Sequence, residues 1–303
     1  MNSISKPTCV APTGDRCGEG PVWHAAERAL YWTDINRFLI HRFDPGDRSV
    51  RSWFFEEPVT ALMLTDRDDT LAAALASRLI FWNPASDKRS EHGFRLPRWP
   101  AVRLNDGRAD PRGSLWLGSM RNNVTPDGCA QEATGTDGVL FRIDPDSRVS
   151  EWKKEIGISN TLVWSPDQRQ FYFADTLANK IWVYDYDVVS GAIGNERIFL
   201  EGFERGLPDG STLDSEGYLW NCRYSGKCIV RVAPDGSIDR VVEMPVMNIT
   251  SCTFGGDDRK TLYITTASNG APPEDRLAGG LFALHTDVPG QPENRFSAFA
   301  SFR

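Results

Sequence analysis

The chain of 303 residues contains no long hydrophobic run, since no apolar segment approaches the roughly 18 residues that a membrane-spanning helix requires. Residues 1–7 also lack the basic and apolar parts of a secretory signal peptide. We therefore expect a cytoplasmic protein that has no membrane partner.

Concentrated charge and several common catalytic motifs are missing too. The 34 basic and 41 acidic residues are mixed along the chain, so no basic stripe indicates a nucleic-acid partner. There is no glycine-rich phosphate loop. The four histidines are scattered, which gives no support to a Ser-His-Asp triad. The six cysteines include no CxxC pair, so a zinc ribbon is not indicated and we expect free thiols.

What the chain does contain is a sixfold repeat. Each unit has an aromatic or aliphatic strand core that follows a turn rich in Asp, Gly, Arg and Pro. Successive cores are 41 to 56 residues apart and begin at Leu30, Leu71, Leu115, Phe171, Leu219 and Leu262. Repeats of this length with four short strands each are typical of β-propeller blades.

The fifth unit shows the four strands most clearly. Strand-like segments at 210–213, 219–223, 229–232 and 240–243 are separated by turn sequences. We predict an all-β fold, namely a six-bladed β-propeller whose four-stranded antiparallel blades surround a central channel. We also expect a single domain over residues 1–303. A pair of β-sandwiches is the alternative, although neither half of the chain is complete without the other. A polar insertion at Arg121–Asp137 is interpreted as a loop over one face.

One oxygen-bearing side chain stands at an equivalent place in every unit. Counting back ten or eleven residues from each strand core reaches Glu19, Thr60, Asn105, Asn160, Asp209 and Ser251. In a propeller these positions lie near the start of the innermost strands, at one end of the channel. Two carboxylates and two amides are therefore expected to face one small volume.

Carboxylates that meet in a buried volume repel one another, and a divalent cation between them removes the conflict. Oxygen ligands favour calcium, magnesium or manganese, while zinc and iron(II) remain open. We expect Thr60 and Ser251, which are weaker ligands, to form hydrogen bonds with the channel wall or with ordered water. Taken singly, Asn160 and Asp209 are also compatible with turns, and Asp106 is expected in one. The shared offset nevertheless favours a site.

The motifs around these positions resemble those of the SMP-30/gluconolactonase/LRE family. The matching segments are Gly18–Trp23, Arg103–Gly107, Ile158–Asn160, Trp164–Asp167, Pro208–Gly210 and Thr250–Gly256. The resemblance implies a six-bladed propeller that hydrolyses sugar lactones with one divalent metal ion. It implies that Glu19, Asn160 and Asp209 are the metal ligands, and that Asp209 is also the general base. By the same resemblance, Arg103 and Asn105 bind substrate.

One departure from the family pattern is visible, because Thr161 follows Asn160 where glycine is usual. The sequence also leaves two other functions open. One is hydrolysis of other esters or phosphotriesters with a metal ion, and the other is a binding module whose metal is structural. It does not decide which lactone is used, which metal is bound, whether Asp209 or the ion activates water, or the oligomeric state.

Overall fold

A computed structural model describes residues 6–299, which fold almost entirely into β-strands. Twenty-four strands form six four-stranded antiparallel sheets arranged as blades in a ring. The prediction of a six-bladed β-propeller is confirmed. Within the described residues the only helical element is a 3₁₀ turn at Ile35–Arg37. No helix in this part of the chain is long and apolar enough to cross a membrane.

The strands follow one another along the chain, and each blade runs from the channel outwards. The N-terminal strand and the strands of blades I to III are β1 (Thr8–Ala11), β2 (Gly18–His24), β3 (Ala29–Asp34), β4 (Leu39–Phe43), β5 (Val50–Phe54), β6 (Val59–Leu64), β7 (Leu71–Leu75), β8 (Arg78–Asn83), β9 (Lys88–Arg95), β10 (Val102–Ala109), β11 (Leu115–Arg121), β12 (Gly138–Ile143) and β13 (Val149–Ile156). The strands of blades IV to VI are β14 (Ser159–Trp164), β15 (Gln170–Asp175), β16 (Lys180–Asp187), β17 (Ala192–Glu201), β18 (Leu207–Leu213), β19 (Leu219–Tyr224), β20 (Cys228–Val232), β21 (Ile238–Glu243), β22 (Asn248–Gly255), β23 (Thr261–Ala267) and β24 (Leu281–His285).

The ring is closed by a strand from the other end of the chain. Strand β1 pairs antiparallel with β24, with Thr8 opposite Ala283, and so becomes the outermost strand of blade VI. The repeat pattern did not predict this pairing, because the two segments are separated by nearly the whole sequence.

Apolar side chains of neighbouring blades pack against one another, and repeated tryptophans are buried between the sheets. The indole N–H of Trp116 donates to Asp110 Oδ2 at 3.0 Å, and that of Trp220 donates to Asp214 Oδ2 at 2.9 Å. Both aspartates lie in the turn before the strand that carries the tryptophan. The Asp-rich turns of the repeat therefore satisfy buried donors of the core.

Every innermost strand carries one extra residue relative to its neighbour, at about the same height in the ring. These β-bulges lie at residues 19–22, 59–61, 104–107, 160–163, 208–211 and 249–251. A bulge breaks the strict alternation of a strand and re-aims its side chains. The six equivalent oxygen-bearing positions lie within or beside these bulges, at what we call the upper end of the channel.

The lower end of the channel is crossed by the C-terminal segment, defined here as residues 288–299. Gly290 forms an isolated antiparallel β-bridge with Asp214 of blade V, and Phe296 forms a parallel one with Thr65 of blade II. The ring of Phe296 is fully buried in the apolar cluster between blades II and III. The C-terminal segment therefore covers the channel at this end, and a separate cavity of about 510 Å³ lies beside it, lined by residues that include Trp23, Phe254 and Glu293.

Candidate active site

The upper end of the channel opens into a cavity of about 310 Å³. The five residues singled out by the sequence, Glu19, Arg103, Asn105, Asn160 and Asp209, all line it. They come from blades I, III, IV and V, and so from strands far apart along the chain.

The other two equivalent positions do not join this group. Thr60 donates its hydroxyl to the carbonyl oxygen of Ala74 at 3.2 Å, as expected for a residue that bonds the channel wall. Ser251 lies deeper, where it faces Gly210 of the neighbouring blade. A Cβ at Gly210 would lie only 2.1 Å from Ser251 Oγ, so a glycine after Asp209 permits the close approach of blades V and VI.

The carboxyl groups of Glu19 and Asp209 lie close enough for each to influence the pKa of the other. Burial, and then the negative charge of Asp106, raises the pKa of Glu19 to about 8. Burial, and then the charge of Glu19, raises the pKa of Asp209 well above its ordinary value of 3.8. Within residues 6–299, neither carboxylate forms an ion pair with a lysine or arginine. The two carboxyl groups thus lie near each other without a positively charged side chain in contact with either of them.

The amide of Asn160 is oriented by Thr176. The Thr176 hydroxyl donates to the carbonyl oxygen of Pro208 at 2.8 Å, so towards Asn160 it can only accept. It accepts from Asn160 Nδ2, also at 2.8 Å. Asn160 Oδ1 is therefore the free end of the amide, and it accepts only a longer bond of 3.3 Å from Asn105 Nδ2. An oxygen rather than an N–H group is thereby available in the cavity that Glu19 and Asp209 also line.

Arg103 is buried in the cavity wall, with 5% of its surface exposed, and its hydrogen-bond partners within residues 6–299 are all neutral. Its guanidinium donates to Asn105 Oδ1 at 2.7 Å, to the carbonyl of Leu104 at 2.9 Å and twice to Asn123 Oδ1, at 3.0 and 2.8 Å. Burial lowers the pKa of this guanidinium to about 10, so it remains charged at neutral pH. The cavity therefore contains an arginine that is held in place and has no carboxylate bound to it.

Asn123 is a site residue that the sequence analysis missed. It belongs to the insertion Arg121–Asp137, which was interpreted only as a loop over one face. Side chains of this loop line the cavity at Ala130, Gln131, Glu132 and Ala133. The carbonyl of Gly128 accepts a 2.9 Å bond from Asn36 Nδ2 of blade I. The loop thus spans the mouth of the cavity from blade III to blade I.

The expectation that Asp106 lies in a turn was wrong. Asp106 lies within strand β10, in the bulge, and its side chain enters the central channel below Glu19. Burial raises the pKa of Asp106 to about 6, an increase that the charge of Arg108 partly offsets. The sequence Asn-Asp-Gly was mistaken for a turn because bulges and turns favour the same residue types.

Thr161, where the sequence departs from the family pattern, adopts a left-handed backbone conformation. Its φ is +56°, close to the +53° of Gly20, which follows Glu19 at the same place in blade I. Among the non-glycine residues of positive φ in the described chain, Thr161 alone is β-branched. Such a conformation costs about 1–3 kcal/mol and persists where surrounding contacts impose it. Its hydroxyl donates to the carbonyl oxygen of Asp209 at 2.6 Å.

The donor set fits one divalent cation. Two carboxylates and an oriented amide oxygen are the ligand types that calcium, magnesium and manganese prefer. Within residues 6–299, no three His, Cys, Asp or Glu side chains cluster as metal ligands. A cation bound here would therefore rely on the amide oxygen of Asn160 in addition to Glu19 and Asp209.

The chain is similar to known proteins over most of its length. The sequence profile described as SMP-30/Gluconolactonase/LRE-like region matches residues 17–268. The pentonolactonase XacC of Haloferax volcanii is 35% identical over 297 residues, covering 95% of this chain and 97% of that protein. Human regucalcin is 32% identical over 300 residues, covering 94% of this chain and 95% of that protein.

A solved structure is similar over nearly the whole fold. The crystal structure of a calcium-binding protein, regucalcin, from Agrobacterium tumefaciens matches with a TM-score of 0.88 and 25% sequence identity, and 97% of each chain is covered. The profile match and the relatives together show that this chain belongs to the SMP-30/gluconolactonase/LRE-like family.

Proposed function

We propose that this protein hydrolyses a sugar lactone to the open-chain sugar acid, with one divalent cation held by Glu19, Asn160 and Asp209. The observation that carries the proposal is the buried carboxyl pair without a counter-cation, which lies in one cavity with the unpaired Arg103. The lactonase named among the relatives supports the same reaction class.

The ligand residues are fixed before any cation binds. Glu19 Oε2 accepts the backbone N–H of Gly20 at 2.9 Å, and Asn160 is oriented by Thr176. When bound, a divalent cation supplies Lewis-acid polarisation of the lactone carbonyl and relieves the repulsion between the carboxylates. Binding it requires both carboxyl groups to be deprotonated, so the cation and protons compete for the same oxygens.

Asp209 is the proposed general base. Its carboxylate accepts a proton from the water molecule that attacks the carbonyl carbon of the lactone. The ring C–O bond then breaks, and the ring oxygen takes up a proton to become the hydroxyl of the product. One water molecule is consumed and one hydroxy acid is formed, so no other reactant is needed.

Arg103 and Asn105 are the proposed substrate-binding residues. Because the Arg103 guanidinium is fixed by Asn105 and Asn123, it can donate to a hydroxyl or ring oxygen with little further loss of freedom. Its positive charge also favours the developing carboxylate of the product. The loop that contains Gln131 and Glu132 closes over the same cavity, so it is the place where lactones of different size would be distinguished.

The proposal is tested with Asp209→Ala and an assay of acid release from pentono- and hexonolactones. Each lactone is tested in metal-stripped buffer and with calcium, magnesium, manganese, zinc or iron(II). We expect the wild type to need an added cation and the variant to be inactive with all of them. The exposed Asp257, which pairs with Arg28 away from the site, provides the matched control Asp257→Ala.

Full activity of Asp209→Ala in metal-stripped buffer would exclude the mechanism. A parallel assay with a phosphotriester separates the alternatives, because faster turnover of that substrate than of any lactone would favour a different hydrolase. If chelation abolishes turnover while the protein stays folded, the ion is catalytic, whereas unfolding on chelation would indicate a structural ion.

A further inference from the structure

We propose that Thr161 and Thr176 are positioning residues that hold Asn160 and Asp209 at a fixed separation, which makes the site selective among divalent cations. The inference rests on the proposed function, in which these two side chains bind one ion. It concerns two buried threonines to which neither the family resemblance nor the comparisons assign a role.

Thr176 connects the two blades that supply the ligands. It follows strand β15 of blade IV and is buried against the cavity. Its hydroxyl accepts a hydrogen bond from the side-chain amide of Asn160 and donates one to the carbonyl oxygen of Pro208, the residue before Asp209. A single hydroxyl therefore links the orientation of one ligand to the backbone that carries the other.

Thr161 makes a second link between the same blades. Its hydroxyl donates to the carbonyl oxygen of Asp209 at 2.6 Å and lies 2.8 Å from the hydroxyl of Ser211. These bonds hold a β-branched residue, fully buried, in the left-handed conformation. Two threonine hydroxyls thus fix the consecutive carbonyls of Pro208 and Asp209 relative to Asn160.

Blade I provides an internal comparison. Gly20 follows the ligand Glu19 with almost the same φ as Thr161, but it has no side chain with which to reach a neighbouring blade. The left-handed conformation alone is therefore achieved without a hydroxyl. The threonine adds the hydroxyl contacts to the Asp209 backbone and to Ser211, at the expense of a conformation that its side chain disfavours.

Fixed ligand positions have a chemical consequence. Calcium takes oxygen ligands at about 2.3–2.6 Å, whereas magnesium demands about 2.0–2.1 Å. Two ligands that cannot approach or separate freely suit one of these distances better than the other. Looser ligands adapt to either ion, so removing the threonine bonds should reduce the preference as well as the affinity.

The test uses the full chain after metal stripping. Dissociation constants for calcium, magnesium and manganese chloride are measured by calorimetry for the wild type and for Thr161→Gly, Thr161→Ser, Thr176→Val and Thr176→Ser. Thr286→Val is the matched control, because Thr286 is equally buried and donates to the carbonyls of Lys260 and Val288, outside the site.

We expect Thr161→Gly and Thr176→Val to bind the preferred ion roughly 10–100-fold more weakly, as for other residues that orient metal ligands. In both variants, the ratio of the dissociation constant of the most weakly bound ion to that of the most tightly bound ion should fall. The two serine variants keep the hydroxyl and should retain the wild-type ratio. Thr286→Val should lower the melting temperature but leave the dissociation constants unchanged.

Three results would overturn the inference while leaving the proposed function intact. The first is unchanged dissociation constants in Thr161→Gly and Thr176→Val. The second is an equal loss of affinity for all three ions in these variants, and the third is a similar loss of affinity in Thr286→Val. A wild-type protein that binds none of the divalent cations would overturn the inference and the proposed metal site together.

Discussion

The two ends of the central channel contain the same kinds of charged residue, but these residues are unpaired at the upper end and paired at the lower end. At the upper end, Glu19 and Asp209 line one cavity, and within residues 6–299 Arg103 donates only to neutral groups. At the lower end, Arg108 lies 3.6 Å from Glu293 of the C-terminal segment, and Thr253 also donates to Glu293, at 2.7 Å.

Strand β10 makes the contrast direct, because Arg103 and Arg108 lie in the same strand, at the two ends of the channel. Arg103 lines the cavity of about 310 Å³ at the upper end, whereas the pocket beside Arg108 has only about 10 Å³. A larger cavity of about 510 Å³ lies on the other side of the C-terminal segment, where Glu293 lines it but Arg108 does not. Buried charge that is paired already has its partner within the fold, and removing that partner is costly, while buried charge left unpaired beside open space indicates a place for a ligand. The following predictions test this distinction.

Removal of the Glu19 carboxylate at the upper end should have the largest effect on activity. Glu19→Gln eliminates one proposed cation ligand but preserves the size of the side chain. We expect the kcat/KM for lactone hydrolysis to fall by at least about 10³-fold, since the ion contributes several kcal/mol to the transition state. Activity assays at saturating cation provide the measurement, and activity within tenfold of the wild type would contradict a ligand role for Glu19.

The C-terminal segment should matter for stability instead of chemistry. Phe296→Ala removes a fully buried ring and should lower the free energy of unfolding by about 3–5 kcal/mol. Under native conditions the kcat/KM should stay within about threefold of the wild type, because Phe296 lies at the lower end of the channel. Urea denaturation measures the first effect, with Phe296→Leu as the milder control. Selective loss of turnover in a stable Phe296→Ala protein would show that the two ends are coupled.

A smaller loss of stability is expected for Glu293→Gln, which is the counterpart of Glu19→Gln at the lower end. It leaves the partly buried Arg108 without its carboxylate, so the free energy of unfolding should fall by about 1–3 kcal/mol. Lactonase activity should be nearly unchanged. A double-mutant cycle with Arg108→Gln would isolate the coupling energy between the two side chains. A coupling energy near zero would contradict the pairing of Arg108 with Glu293.

An effect specific to the upper end is the pH dependence of cation binding. The pKa of Glu19 is about 8 in the metal-free protein, so below that pH a proton must leave before the cation binds. Affinity should therefore fall as the pH falls, by up to about tenfold per unit for one released proton. Calorimetry in buffers of different ionisation enthalpy counts the proton, and Glu293→Gln should give the same slope. A pH-independent affinity between pH 6 and pH 8 would rule out a protonated pair.

The same pKa has a consequence for the stability of the metal-free protein. The folded state binds this proton more tightly than the unfolded chain, because the pKa rises from 4.5 to about 8 on folding. Stability without a cation should therefore decrease as the pH increases across that range. At pH 8 the metal-free Glu19→Gln protein should be more stable than the wild type, which a thermal melt can check.

Much of the architecture could be predicted from local sequence. The strand cores at Leu115 and Leu219, with their Asp-rich turns, lie in second strands of blades as expected. The offset of ten or eleven residues reached the channel because each innermost strand and its neighbour form a short hairpin, whose register depends on nearby residues alone. The residues collected at the cavity by this reasoning were therefore correct in position, although their roles remain predictions.

Other features had no local signal. Asp106 was assigned to a turn because the bulge that carries it uses turn-forming residues. Asn123 was overlooked because only contact with Arg103 gives it a place in the site. Thr161 was noticed as a departure from a family pattern, but its bond to the Asp209 backbone spans two blades. In each case the decisive partner lies elsewhere in the sequence.

The sequence by itself determined the number of blades, the strands within them and the set of polar residues at one height of the ring, because hairpins and turns form through contacts between residues close in the chain. Only the tertiary structure decided which charges are neutralised and which are left exposed to a cavity. That outcome depends on desolvation and on partners from other blades, on the loop across the mouth, and on the C-terminal segment, all of which meet only after the ring has closed.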